Sequence, residues 1–125
     1  MYADYEYYSE TYGGKMSLED AEKALKTASR HIDTLTYNRI KGKGFENLTE
    51  FQQEVIKECN CMMADFEHKN ADMINSLINN YSINGASISF NGEGANFTLV
   101  NGVLVQRDTY SLLSQTGLTS RNLGV

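Results

Sequence analysis

Two cysteines, Cys59 and Cys61, and two histidines, His31 and His68, are the side chains of this 125-residue chain that most readily suggest a zinc site. Thiolates and imidazoles are the ligands that Zn²⁺ prefers. On a helix, however, positions i and i+2 point about 200° apart, so both thiols cannot face one ion. His68 lies further along the same predicted helix and His31 lies on another one. We therefore predict no metal site, and we assign Cys59 to the apolar face of its helix.

Sequence patterns typical of catalysis or of cofactor binding are also absent. No serine or cysteine lies in a nucleophile elbow, and neither histidine has a sequence context that predicts an acid–base partner. The glycines between residues 85 and 102 match neither GxxxxGK[ST] nor a GxGxxG that precedes a helix, so they do not predict a phosphate-binding loop. We predict that the protein is not an enzyme, has no catalytic residues and needs no cofactor.

Charge is distributed unevenly along the chain, whose net charge is −5. Residues 21–43 carry a balance of +4, and residues 44–72 carry a balance of −5. The acidic total argues against a protein that mainly binds phosphate backbones, because that affinity comes from lysine and arginine. The two segments are either surfaces for oppositely charged neighbours or two solvated helix faces that differ in sign.

Two long amphipathic helices are predicted to carry these charges. The first begins at a Ser17 cap and extends for about 20 residues, with no helix breaker before Gly42. Residues 41–44 read as a flexible connector, and Asn47 is predicted to cap the second helix, with Glu50 completing a capping box. The apolar positions are Leu18, Ala21, Leu25, Ala28, Ile32 and Leu35 in the first helix and Leu48, Phe51, Val55, Cys59, Met62 and Phe66 in the second.

A row of glutamates recurs at a spacing of four residues and is predicted to lie along one flank of the second helix. Like charges at this spacing destabilise a helix unless a cation lies opposite. We therefore expect the row to face a basic surface, on the first helix or on a neighbouring subunit. The acidic candidates are Glu46, Glu50, Glu54 and Glu58, and the basic candidates are Lys23, Lys26 and Arg30.

The helical pattern weakens beyond residue 70. Residues 71–80 keep some helical spacing, which their asparagines weaken, and residues 81–90 read as a strand with a turn signal at Asn84 and Gly85. Residues 97–105 fit either a second hairpin about Asn101 and Gly102 or an extended arm. Asp108 is predicted to cap a short last helix, and Gly117 to end it in the left-handed conformation.

The predicted architecture is one mainly α domain over residues 1–125. It is a small bundle of two long amphipathic helices and a short C-terminal helix, with a minor β-hairpin or extended arm around residues 81–105. The predicted parts are a tyrosine-rich N-terminal segment (1–16), a helical core (17–70), this extended region and a C-terminal tail (116–125). The N-terminus lacks the features of a signal peptide and no segment is apolar enough to span a bilayer, so we expect synthesis in a reducing cytoplasm, free thiols and no membrane.

Three motifs, taken in order, resemble the head–tail connector (adaptor) proteins of long-tailed bacteriophages and prophages. The first is the pair Tyr7-Tyr8 with Tyr12-Gly13-Gly14. The second is ASRHIDTLTYNRI at residues 28–40, and the third is LLSQTGL at residues 112–118. Members of the family often continue the last motif with an aromatic-Arg-Gly run, whereas residues 119–124 of this chain lack the aromatic residue.

The resemblance implies a structural virion protein with no catalytic residues, made in the bacterial host cytoplasm. Such proteins form a ring, usually dodecameric, beneath the portal, join the head to the next connector or to the tail, and let DNA pass without sequence-specific binding. The two charged segments would then face each other across subunits. The family's C-terminal segment commonly reaches toward the portal, so the implied contact residues are Gln115, Thr116, Gly117, Leu118 and Arg121.

Two alternative functions remain open at this stage. One is another minor virion protein, such as a tail-completion protein of similar helical build. The other is a phage regulatory DNA-binding protein that uses the basic residues of the first helix. Rings in negative stain favour the connector, whereas a salt-sensitive gel shift with duplex DNA favours the regulator.

Overall fold

The computed structural model describes residues 1–84 and 96–121 and shows a mainly helical domain with one β-hairpin. This architecture confirms the predicted fold class. The helices are α1 (Leu18–Leu35), α2 (Arg39–Lys43), α3 (Glu50–Lys69), α4 (Ala71–Asn84) and α5 (Arg107–Ser114). The strands are β1 (Phe97–Val100) and β2 (Val103–Gln106), and a π-helix (Tyr7–Tyr12) and a 3₁₀ turn (Phe45–Asn47) complete the described elements.

The centre of the fold is α3, which is surrounded on three sides. One side packs against α1, a second against the N-terminal segment, and a third against α5 and the hairpin. Its buried side chains consequently extend around most of the helix rather than along one stripe. They are Val55, Ile56, Cys59, Asn60, Cys61, Met63, Ala64 and Phe66.

The predicted apolar stripes are largely buried, with two exceptions. Leu18 and Phe51 are about half exposed, at 53% and 54%. Both residues lie in the first turn of their helices, where the neighbouring elements no longer cover the face. Ile56 and Met63 of the same helix α3 as Phe51 are buried in the core.

The first long helix begins as predicted and has 18 residues, close to the predicted length of about 20. Ser17 Oγ accepts a hydrogen bond from Asp20 N at 3.3 Å, which confirms the cap. The helix ends at Leu35 because Tyr37 and Asn38 adopt positive φ angles of 56° and 58°, which a right-handed helix cannot contain. The prediction of a flexible connector at residues 41–44 is wrong over most of that range, since α2 extends to Lys43.

The second long helix begins two residues later than predicted. Thr49 Oγ1 accepts a hydrogen bond from Gln52 N at 3.1 Å, and the Gln52 side chain accepts one from Thr49 N at 3.0 Å. This pair forms the capping box, so the prediction of Asn47 with Glu50 is wrong. Asn47 instead lies in the 3₁₀ turn, and its Nδ2 donates to Lys43 O at 2.8 Å.

The region after residue 70 departs most from the prediction. Helix α4 extends to Asn84, so the predicted strand is wrong for residues 81–84, and residues 85–90 lie outside the described part of the chain. Half-buried apolar side chains at Met73, Ile74, Leu77 and Ile78 recur with helical spacing and outweigh the low helix propensity of the asparagines.

Of the two alternatives for residues 97–105, the structure has the hairpin about Asn101 and Gly102 and not the extended arm. Strands β1 and β2 pair antiparallel, with Phe97 opposite Gln106 and Val100 opposite Val103. The two turn residues have φ angles of 50° and 83°, the left-handed values that a tight two-residue hairpin requires.

The last helix begins without the predicted cap. Helix α5 starts at Arg107 directly after β2, and no side chain caps its first turn, so the prediction of Asp108 as the N-cap is wrong. Gly117 has the predicted left-handed φ, 79°, but it lies beyond the end of α5, which ends at Ser114 with Gln115 as its C-cap.

Candidate functional site

The predicted glutamate row forms an exposed strip on α3, which we call the acidic strip. Glu50, Glu54 and Glu58 lie on one flank of the helix and are exposed, next to the exposed ring of Phe51. Glu46 is also exposed, but it lies in the 3₁₀ turn, so its assignment to the α3 flank is wrong. The acidic strip therefore consists of three carboxylates on α3 beside one exposed aromatic ring.

A tyrosine of the N-terminal segment borders the acidic strip. The Tyr7 hydroxyl donates to Glu54 Oε2 at 3.4 Å, and Lys57 Nζ lies 5.6 Å from the Tyr7 ring centroid. Burial and the Glu54 charge raise the pKa of Tyr7 to about 12, so its hydroxyl stays a donor at neutral pH. Carboxylates of the strip that lie beyond this contact face solvent.

The basic candidates form a second exposed strip, on α1, which we call the basic strip. Lys23, Lys26 and Arg30 are exposed and lie within one stripe of the solvent face of α1. Lys23 Nζ lies 3.6 Å from Glu19 Oε1 of the same helix. Among the described residues, no ion pair joins the basic strip to the acidic strip, so α1 of the same chain does not neutralise the glutamates. That a neighbouring subunit places a basic surface against the glutamates stays a prediction.

The predicted partner contact of the tail is divided between surface and body. Gln115, Gly117 and Arg121 are exposed, whereas Thr116 is buried and Leu118 is half-buried. The main-chain oxygen of Thr116 accepts a hydrogen bond from Gln52 Nε2 at 3.0 Å. Thr116 and Leu118 are consequently part of the folded body. Of the predicted contact residues, Gln115, Gly117 and Arg121 are available to a partner without rearrangement.

The two cysteines face different sides of α3. Cys59 Sγ lies 3.7 Å from Thr109 O of α5, while Cys61 lies toward the N-terminal segment near Asp4. Burial is the main cause that raises the pKa of each thiol to about 12, so both are protonated and unreactive at neutral pH. Within residues 1–84 and 96–121, no cluster of histidine, cysteine and acidic side chains could hold a metal ion.

An ion pair that the sequence did not predict links α1 to α3. His31 Nδ1 lies 2.5 Å from Glu67 Oε2, and the Glu67 side chain is only 14% exposed. The hydrogen bond from the imidazolium to Glu67 raises the pKa of His31 above its usual value, against the opposing effect of burial. The pair borders a cavity of about 180 Å³ that α4 and the hairpin turn also line.

This ion pair predicts a pH-dependent contribution to stability. Because the folded state raises the pKa of His31, the contribution is complete below pH 6.5 and is lost as the pH rises through the raised value. We expect His31→Gln to destabilise the protein more at pH 5.5 than at pH 9, measured by urea unfolding at both values. His68→Gln, at an exposed position, is the matched control and should leave stability unchanged. An equal loss at both pH values would contradict the assignment.

Comparisons with other proteins add no family assignment. No protein-family model, no curated protein and no solved structure matches the chain. Among the described residues, no helix is both long enough and apolar enough to cross a membrane.

Proposed function

We propose that this chain is a structural subunit of a bacteriophage head–tail connector, a ring beneath the portal that joins the DNA-filled head to the tail. The observation that carries the proposal is the presence of two exposed strips of opposite charge on different helices of one small domain. A head-to-tail interface brings two different surfaces of the same protomer together, and repeating it closes a ring when the rotation allows. The motifs at residues 28–40 and 112–118 support the same role.

The acidic strip has the composition of one half of such an interface. Its three carboxylates repel one another along α3, and a cationic surface opposite would relieve this repulsion. Phe51, 54% exposed beside them, would lose its contact with water on association. The basic strip of the next subunit supplies the opposite charge, and the exposed Gln115 and Arg121 remain available for the portal.

Charge exchange between the strips tests this interface. The double variant Glu50→Lys/Glu54→Lys makes both strips basic, and Lys23→Glu/Lys26→Glu makes both acidic. We expect each variant alone to associate at least about tenfold more weakly than the parent in light scattering at low salt, and an equimolar mixture to recover association through alternating subunits. Glu6→Lys/Glu10→Lys is the matched control, because it changes the same charge at exposed residues outside the strip.

Rings of the parent chain in negative-stain images are the expected assembly. Where the chain binds only to a preformed portal, the same variants are compared by co-sedimentation with portal particles of the same phage. The connector role would be overturned if light scattering gave the same mass for the parent and for both charge variants, and if none of them bound to portal particles. A salt-sensitive gel shift with duplex DNA would favour the regulatory alternative instead.

A further inference from the structure

Unusual backbone conformations concentrate at one surface of the domain. Among the described residues, the non-glycine positions with positive φ are Tyr37, Asn38 and Asn101, at 56°, 58° and 50°. Asparagine adopts this region readily, whereas a bulky residue such as tyrosine rarely does. Tyr37 is also 40% exposed, so burial of its ring does not explain its presence there. Unfavourable backbone geometry at an exposed aromatic residue is typical of a functional position.

Three distant parts of the chain meet at the Tyr37 side chain. The side chains of Asn101, in the hairpin turn, and of Arg121, in the C-terminal tail, lie close enough to the Tyr37 hydroxyl to lower its pKa. The Arg39 guanidinium, from the start of α2, lies 4.9 Å from the centroid of the Tyr37 ring. We call Tyr37, Arg39 and Arg121 the arginine–tyrosine cluster.

The cluster carries positive charge without a paired anion in the described part of the chain. No salt bridge between described residues involves Arg39 or Arg121. Arg39 Nη1 donates to Leu118 O at 3.0 Å, and its Nε is buried without a hydrogen-bond partner among the described residues. The Asn101 and Arg121 side chains lower the pKa of Tyr37, as expected where the surroundings favour negative charge.

We propose that the arginine–tyrosine cluster is a docking site for an acidic segment of a partner protein, which places a carboxylate against the two guanidinium groups. The proposal goes beyond self-association and rests on the connector role only for the identity of the partner. A guanidinium binds a carboxylate through paired, charge-assisted hydrogen bonds. Tyrosine and arginine are the residue types enriched at the energetic centres of protein interfaces.

A nucleic acid fits this surface less well than an acidic peptide. The chain carries a net charge of −5, which repels a polyanion over the length of several phosphates. The cluster offers two guanidinium groups beside one aromatic ring. This arrangement suits a single carboxylate and an adjoining side chain rather than the row of phosphates in a nucleic-acid backbone. The exposed Tyr37 ring and the half-buried Leu118 provide apolar contact beside the charges.

Titration of the full ¹⁵N-labelled chain with an acetylated hexaglutamate peptide tests the site. We expect saturable shifts of the Arg39 and Arg121 side-chain Nε–Hε signals, and no such shifts in sodium chloride of matched ionic strength. Arg121→Gln and Tyr37→Asn should each weaken the peptide affinity about tenfold. Arg107→Gln, which removes an exposed arginine at the opposite end of the hairpin, is the control and should bind as the parent does.

The Tyr37→Asn variant separates a binding role from a structural one. Asparagine accepts the positive φ at this position, so the thermal midpoint should stay unchanged or rise while the peptide affinity falls. A lower midpoint with unchanged affinity would overturn the proposal, and so would tighter binding of a hexathymidylate than of hexaglutamate. Since the acidic and basic strips are unchanged in these variants, loss of peptide binding with intact self-association is distinguishable from failure of the ring.

Discussion

Replacing Asn60 with leucine is expected to lower the free energy of unfolding by about 3 kcal/mol, although the two side chains are similar in size. Asn60 is fully buried at the centre of the fold. Its Oδ1 accepts hydrogen bonds from Ala3 N at 2.9 Å and Ser29 Oγ at 3.2 Å, and its Nδ2 donates to Leu25 O at 3.0 Å. Leucine would leave the buried Ala3 N without its partner and would remove one hydrogen bond each from Ser29 Oγ, which also accepts from Tyr2 N at 3.1 Å, and from Leu25 O inside α1.

Urea unfolding at one pH measures this loss. Asn79→Leu is the control, because Asn79 is exposed on α4 and the same change of side chain there should alter stability by less than about 0.5 kcal/mol. We also expect faster hydrogen exchange at Ala3 N, whose partner is removed. A loss below about 1 kcal/mol for Asn60→Leu would show that the network is not essential to the fold.

Gly14→Ala is expected to destabilise the protein by a similar amount, about 3 kcal/mol, for a steric reason. A Cβ at Gly14 would lie 2.0 Å from Tyr8 Cζ and within 2.5 Å of two further ring atoms. The ring cannot yield easily, because Tyr8 is fully buried and its hydroxyl donates to Asp65 Oδ1 at 2.7 Å. The hydroxyl also accepts a hydrogen bond from Met16 N at 3.1 Å.

Two other glycines provide matched controls for this substitution. A Cβ at Gly42 would meet no atom within 4 Å, and Gly42 lies in α2, so Gly42→Ala should leave stability unchanged or raise it by up to about 1 kcal/mol. A Cβ at Gly13 also has space, but φ is 83°, so Gly13→Ala should cost about 1 kcal/mol through the backbone alone. Equal effects of Gly14→Ala and Gly42→Ala in thermal unfolding would contradict the contact with Tyr8.

The long helices could be predicted because their signals are local. A stripe of apolar residues and a serine cap lie within a few residues of one another, and they placed α1 and the body of α3 correctly. The start of α3 could not be chosen from the sequence, since Asn47 with Glu50 and Thr49 with Gln52 both match a capping box. Leu48 lies between Asn47 and Thr49. It is only 5% exposed in the structure, in which Thr49 and Gln52 form the capping box.

The left-handed residues that end α1 were not predicted, and the strand predicted at 81–84 is wrong, for different reasons. Tyr37 is neither glycine nor proline, so nothing in the local sequence indicates that it ends the helix in the left-handed region. Residues 81–84 alternate like a strand, but they follow α4 without a break and continue it. Tertiary packing and helix continuation therefore decided both positions.

The contacts of the candidate sites lie beyond what spacing can show. His31 and Glu67 are 36 residues apart, and Asn60 and Ala3 are 57 residues apart. The residue types alone predicted that the glutamates are charged and exposed, and the structure places them on the surface. They did not predict that Tyr37 and Arg121 lie close together. Such pairs are set by how the elements pack, which local patterns do not encode.

The attachment of the N-terminal segment to α3 has a consequence for synthesis on the ribosome. Tyr8 and Ala3 bind Asp65 and Asn60, partners that are each 57 residues further along the chain. At roughly 5–20 residues per second, translation needs about 3 to 11 s to make these partners after the segment itself. During that time, the tyrosines of residues 2–12 lack their final packing surface. Chaperones and proteases of the cell that makes the chain would therefore meet this aromatic segment before the rest of the domain can cover it.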